Sequence, residues 1–181
     1  MIRDIKNAVK ANMIRSKNRN ACLVAVDVRS AHNIGSLFRS CEGFGAELYL
    51  VGICPRPIHA GDDRLPHIAQ NAHKEIAKTA LGAEGQVRWR YARTLEECIE
   101  TLRSEGYKII ALEQSDTSQP IYDLKPGEKT AVLVGREVEG LIAEELKLCD
   151  ETYEIPMAGQ KESFNVSVAA GIVLYQLAMV Q

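Results

Sequence analysis

The side chains in this 181-residue sequence that could do chemistry gather in its last quarter. An apolar run ends at Val134 and breaks at Gly135-Arg136-Glu137, closing with Gly140-Leu141. A second run breaks at Ile155-Pro156-Met157-Ala158-Gly159, and Ser163-Phe164-Asn165-Val166-Ser167 then opens a long apolar segment. Two strand ends and a helix start, all carrying glycine or short polar groups, describe a binding site at the carboxyl edge of an α/β sheet. Two upstream residues join the set. Ile34, Leu37, Phe38 and Cys41 share one helical stripe, and at 100° per residue Arg39 points almost directly away from it. Arg39 therefore faces solvent, a ligand or another chain, and Asn33 stands where the helix needs a cap.

Other chemistries fit poorly. Gly43-Phe44-Gly45 ends a helix instead of opening one and has no third glycine in dinucleotide register, and no P-loop is present. Ser163 lies outside any G-x-S-x-G, and no His neighbours the glycine-marked strand ends. The set His59, Asp62, Asp63 and His67 matches no metal-ligand spacing, so a plain loop and no metal are expected there. Five scattered cysteines without C-x-x-C read as reduced, mostly buried thiols of a cytoplasmic protein.

The elements that must hold these residues follow from periodicity. Helices are expected over 2–14, 33–44, 73–81, 94–104 (Thr94 capping, Glu97 as its capping-box partner), 141–148 and 164–180. Strands are expected over 23–28, 48–51, 87–91, 109–112, 130–134 and 152–155, with a loop over 52–72 and a turn at 124–127. Continuous apolar strands alternating with helices predict an α/β fold, a mostly parallel sheet with helices on both faces. The final helix is apolar nearly all round, which places it in the core or in a homodimer interface. No apolar run approaches the ~20 residues that span a bilayer. Net charge is −2, yet residues 1–19 hold six Lys and Arg against Asp4 alone. That basic arm, residues 1–20 ahead of a domain over 21–181, is either a phosphate-binding footprint or a solvated helix.

Three segments taken together resemble the SPOUT-class RNA methyltransferases, in the SpoU or TrmH-like branch. Asn33-Ile34-Gly35-Ser36-Leu37-Phe38-Arg39 is similar to that family's N-x-G-x-x-x-R motif. Gly135-Arg136-Glu137-Val138-Glu139-Gly140 is similar to its G-x-E-x-x-G motif, and Ile155-Pro156-Met157 through Ser163-Phe164-Asn165-Val166-Ser167 to its third. Thr79-Ala80-Leu81-Gly82-Ala83 is similar as well, and the likeness runs over about residues 22–180. Two positions depart from the pattern: Arg136 replaces a small or amide residue, and Phe164 replaces Leu.

The resemblance implies a C-terminal deep trefoil knot, an obligate homodimer, and S-adenosylmethionine held by Leu112, Gly135, Ile155, Met157 and Phe164. It implies methyl transfer to a ribose 2'-hydroxyl of RNA, with tRNA ahead of rRNA for so small a chain. Arg39, Asn33, Glu137, Ser163 and Asn165 are the implied catalytic set. A guanidinium with a pKa above about 12 is not a base, so Arg39 is expected to clamp a phosphate and orient the hydroxyl. The proton would go to that phosphate, to water or to Glu137. Two alternatives stay open: a base-directed methyltransferase of the same fold, and a non-catalytic RNA-binding or assembly factor. Only Arg136 speaks for the second.

Overall fold

The computed structural model describes residues 20–125 and 129–179. Seven strands form one sheet: β1 (Ala21–Val26), β2 (Glu47–Val51), β3 (Trp89–Ala92), β4 (Lys108–Leu112), β5 (Gln119–Pro120), β6 (Thr130–Val134) and β7 (Glu151–Glu154). Their spatial order is β3-β2-β1-β6-β4-β7-β5, and each pairing between them is parallel. Five helices cover it: α1 (Ala31–Phe44), α2 (Pro66–Ala80), α3 (Leu95–Ser104), α4 (Ala143–Leu146) and α5 (Val166–Met179).

Because side chains alternate along a strand, each apolar strand feeds two cores. Leu23, Leu50, Ile110 and Val132 pack against Ile34, Leu37 and Phe38 of α1, Ile76 of α2 and Leu174 of α5. Cys22, Val24, Ile109 and Leu133 pack on the other side against Cys98, Ile99 and Leu102 of α3. Four of the five cysteines are buried and all are free; burial pushes the Cys54 and Cys98 thiols up to about 12. The α/β class with helices on both faces is as the sequence predicts. Among the described residues no helix is long and apolar enough to cross a membrane.

Several boundaries differ from the sequence reading, each for a local reason. β1 stops at Val26 because Asp27 turns to φ 52° and its Oδ1 accepts the Ile53 N–H at 3.0 Å. Gly52 allows this, since a Cβ there would lie 2.1 Å from the same carboxylate oxygen. α1 begins two residues before Asn33: Ser30 is the cap, and its hydroxyl accepts the Asn33 N–H at 3.2 Å. The expected loop 52–72 contains the start of α2, which opens on Pro66, a residue pre-shaped for the first helical turn. α2 buries only Ala69, Ile76 and Ala80, so its apolar period is thin. Thr94 caps α3 as predicted, while the Glu97 carboxylate reaches back to the Arg93 N–H and not to the cap's own. Two-residue β5 escaped the pattern. The helix over 2–14, the basic arm and the 126–127 end of the expected turn lie outside the described residues.

Gly35 has a packing role. A Cβ on it would stand 2.3 Å from the Ile76 carbonyl oxygen and 2.1 Å from Thr79 Oγ1. α1 and α2 therefore touch backbone to backbone here, and Thr79 Oγ1 donates to the His32 carbonyl at 2.8 Å. This contact fixes the helix that carries Asn33 and Arg39.

Candidate active site

The loops that leave the carboxyl ends of β4, β6 and β7 meet beside the start of α5 and enclose a cleft. All five positions expected to hold a cofactor line it: Leu112, Gly135, Ile155, Met157 and Phe164. The β6 loop is folded back on itself by paired Arg136 and Gly140 backbone bonds. Gly135 is required for that fold, since its Cβ would lie 2.3 Å from the Gly140 carbonyl carbon. Gly140 takes φ 64°, and a Cβ there would strike Glu113 Oε2. Two glycines thus let the chain pack where side chains would block it.

Glu113, which the sequence reading passed over, ties the loops together. Its carboxylate accepts the Leu141 N–H at 2.8 Å and the Gln114 N–H at 3.0 Å, and its own N–H donates to the Tyr153 carbonyl at 2.9 Å. The Gln114 amide in turn donates to the Glu162 carbonyl in the β7–α5 loop. An apolar run broken at a glycine and a carboxylate was the signal that singled out Glu137, and Leu112-Glu113 carries the carboxylate without the glycine.

At one mouth of the cleft the expected polar residues form a continuous line. Glu137 accepts from Asn33 Nδ2 at 2.9 Å, from the Ser30 N–H at 3.1 Å and from the Arg29 N–H at 3.4 Å. Asn33 Oδ1 accepts from Asn165 Nδ2 at 3.3 Å, and Asn165 Oδ1 accepts from the Ser167 N–H and hydroxyl at 2.9 and 2.7 Å. Partial desolvation alone would raise the Glu137 pKa. The Asn33 amide and the Ser30, Glu137 and Arg29 N–H groups outweigh it and hold the carboxyl below its ordinary value. Asn33 is therefore not a cap; its side chain joins the β6 loop to the start of α5.

Ser163 lines the cleft and makes no hydrogen bond among the described residues. Arg39 does not line it. The exposed Arg39 guanidinium faces a neighbouring hollow that includes Ser167, so Ser167 links the two. As the helical stripe predicts, Arg39 points away from the core, and it pairs with no carboxylate among the described residues.

Arg136 has a structural explanation. One guanidinium nitrogen donates to Asp27 Oδ2 at 2.6 Å, and the fork grips Glu145 at 2.9 and 3.0 Å and the Gly140 carbonyl at 3.2 Å. The side chain is 18% exposed. It bolts the β6 loop to the end of β1 and to α4, with both terminal nitrogens engaged within the protein. Of the set His59, Asp62, Asp63 and His67, Asp62 pairs with Arg64 and Asp63 with Arg56, while His67 stands in the first turn of α2.

Residues 20–175 match the sequence profile described as the SpoU rRNA Methylase family. The chain is 25% identical over 166 residues to the tRNA (guanosine(18)-2'-O)-methyltransferase of Escherichia coli K12, covering 91% of this chain and 65% of that protein. It is 31% identical over 155 residues to a Burkholderia 23S rRNA (guanosine-2'-O-)-methyltransferase RlmB, covering 85% and 57%. Among solved structures, the SpoU methyltransferase AviRb of Streptomyces viridochromogenes, in complex with AdoMet, superposes with a TM-score of 0.66 at 25% identity, covering 87% of this chain and 58% of that one. The chain thus spans less than two thirds of the length of these relatives. It belongs to the SpoU rRNA methylase family.

Proposed function

We propose that this protein transfers a methyl group from S-adenosylmethionine to a ribose 2'-hydroxyl of RNA, with tRNA ahead of rRNA. The observation that carries the reading is the hydrogen-bonded line Glu137–Asn33–Asn165 at the mouth of a glycine-built cleft. It joins residues from all three motifs at one edge of the sheet.

The cleft suits a cationic cofactor better than a phosphate-bearing one. Glu113, Glu137, Glu139 and Glu154 line it, and its single cation, Arg136, is neutralised by Asp27 and Glu145. Leu112, Ile155, Met157 and Phe164 supply apolar walls, while Gly135 and Gly140 present bare backbone, without side chains, to an adenosyl moiety. S-adenosylmethionine, when bound, supplies an electrophilic methyl group on a sulfonium.

The chain's own residues then have positioning work. Holding a hydroxyl in line with a reactive centre gives effective molarities of ~10⁵ M or more. Asn33 and Asn165 form the wall against which the ribose is set, with Ser163 beside it. Glu137 holds Asn33 and is itself held by several donors, so its oxygens are committed to the chain's own groups. As the hydroxyl oxygen forms its new bond to carbon its proton becomes strongly acidic, so an RNA phosphate or water takes it, and Arg39 orients that phosphate.

The same reading includes a homodimer. Phe164, Val168 and Tyr175 expose large apolar surface at and along α5, and Arg39 projects where it could complete a second copy's cleft. It also includes a deep trefoil knot through the loops after β4, β6 and β7, supported by the three motifs and by the Glu113 and Gln114 bonds between those loops. The six Lys and Arg of residues 1–19, ahead of the 21–181 domain, suit contact with an RNA backbone, and the free cysteines suit a cytoplasmic setting.

The test is direct. Protein incubated with S-adenosylmethionine and bulk tRNA is expected to yield 2'-O-methylnucleosides on nuclease digestion and mass analysis. No cofactor binding by calorimetry at millimolar ligand would overturn the reading. A methyl group found on a base would replace it with base-directed transfer.

A further inference from the structure

Beside the acidic cleft lies a second hollow of opposite character, between α1, α2 and the first turn of α5. Ser36, Arg39 and Ser40 of α1, Lys78 and Thr79 of α2 and Ser167 of α5 line it, with Leu81 at one side. No carboxylate is among these lining residues. Two cations therefore converge on a wall of hydroxyls, next to a cleft lined by four glutamates. The Asn33–Asn165–Ser167 line runs between the two.

The charges in the hollow are available to a ligand. Arg39 is exposed, and neither its guanidinium nor the Ser40 hydroxyl has a partner among the described residues. Lys78 Nζ rests on Glu75 of its own helix, 2.7 Å from both carboxylate oxygens. That pair is 51% and 41% exposed, so solvent screens it and it holds the ammonium only weakly. The flexible four-carbon stem can turn the ammonium into the hollow at little cost. Lys78 is also held in place from below: the next residue, Thr79, is bonded to the His32 carbonyl of α1, and Gly35 seats the two helices in contact.

We propose that this hollow binds an RNA backbone phosphate, with Lys78 as a second cation beside Arg39. Lys78 acts as a point charge that anchors the strand, while the planar Arg39 sets the orientation. The inference rests on the proposed RNA substrate and names a residue that none of the three motifs contains. Placing the anionic strand on one side of the Asn33–Asn165 line and the cationic cofactor on the other keeps the two ligands in separate electrostatic compartments.

The experiment measures bulk tRNA binding across a KCl series for wild type, Lys78→Ala, Lys78→Arg and Lys74→Ala. Lys74 is exposed one turn away on α2 and does not line the hollow. Each phosphate contact contributes about 0.7–0.9 to the slope of log affinity against log salt. Lys78→Ala is expected to lower that slope by about this amount and to raise the KM for RNA at nearly unchanged cofactor affinity. Lys78→Arg should restore the slope, and Lys74→Ala should leave it as in wild type. If Lys78→Ala and Lys74→Ala behave alike while wild type still methylates RNA, the phosphate assignment is overturned and the substrate reading stands. If wild type neither binds S-adenosylmethionine nor methylates RNA, the substrate reading itself fails.

Discussion

Replacing Arg136 with alanine removes a guanidinium that holds two carboxylates and a carbonyl at once. Asp27 and Glu145 are 25% and 12% exposed, so both would be left as poorly hydrated charges close to each other. Breaking a buried ion pair from one side costs ~3–5 kcal/mol. Partial access of water at Asp27 lowers this to about 2–4 kcal/mol. For a domain of this size each kcal/mol moves Tm by roughly 2–4 °C, which gives a fall of about 5–15 °C by calorimetry. Arg136→Lys should recover only part, since an ammonium cannot match the bidentate grip on Glu145. A double-mutant cycle with Glu145→Gln should return a coupling of about 1 kcal/mol or more. S-adenosylmethionine affinity should fall as well, because the loop carrying Gly135 loses its anchor. A Tm within about 2 °C of wild type, or strictly additive effects with Glu145→Gln, would refute the view that Arg136 is a structural bolt.

Other outcomes follow from the same geometry. Asn33→Ala should lower the rate of methyl transfer ~100-fold or more with cofactor affinity nearly kept, measured by single-turnover kinetics and calorimetry, because Asn33 orients groups without lining the cofactor cleft. Arg39→Ala should abolish turnover in the same assays while S-adenosylmethionine still binds; wild-type rates would show the role is misplaced. Gly35→Ala should destabilise by ~1–3 kcal/mol, read from urea unfolding, since the new methyl group meets the Ile76 carbonyl. Glu137 has its folded pKa below its ordinary 4.5, so its stabilisation is present above that value and is lost as pH falls through the folded pKa. Tm scans below pH 5 should therefore show a shallower acid loss in Glu137→Gln than in wild type.

The sheet class and the order of elements could be read from the chain, because apolar runs and glycines at their ends leave local marks, whereas the five positions found lining the cleft came from the resemblance to the family's motifs. β6 shows the clearest case: Ala131, Val132, Leu133 and Val134 are an apolar run, and the strand is buried throughout and bounded by its motif. Residues whose role comes from distant partners left no such mark. Asn33 looked like a cap, since its acceptor Glu137 lies 104 residues away and Asn165 lies 132 away. Arg136 read as a departure from the motif and as the support for a non-catalytic factor, and only the turn at Asp27, 109 residues back, shows where its charge goes. α2 was cut short because its buried face is thin and a loop-like composition masks its first two turns. Lys78 passed unnoticed because a surface lysine acquires meaning only when α1 brings Arg39 to face the same hollow.

The position of β6 in the sheet also bears on how the polypeptide emerges from synthesis. β6 lies between β1 and β4, although it is made after both. Until residues 130–134 appear, β1 and β4 each leave unpaired the edge that β6 will occupy, and both strands are largely apolar, a template on which nascent chains stick to one another. Closure of the sheet, the Asp27–Arg136 pair and the Asn33–Glu137 bond thus wait on one late insertion. A ribosome stalled before Thr130 would hold a chain with more than two thirds of its residues but only Asn33, Arg39 and the Leu112–Gln114 wall of its site. The far edge of β4 stays open longer still, until β7 is made at Glu151–Glu154.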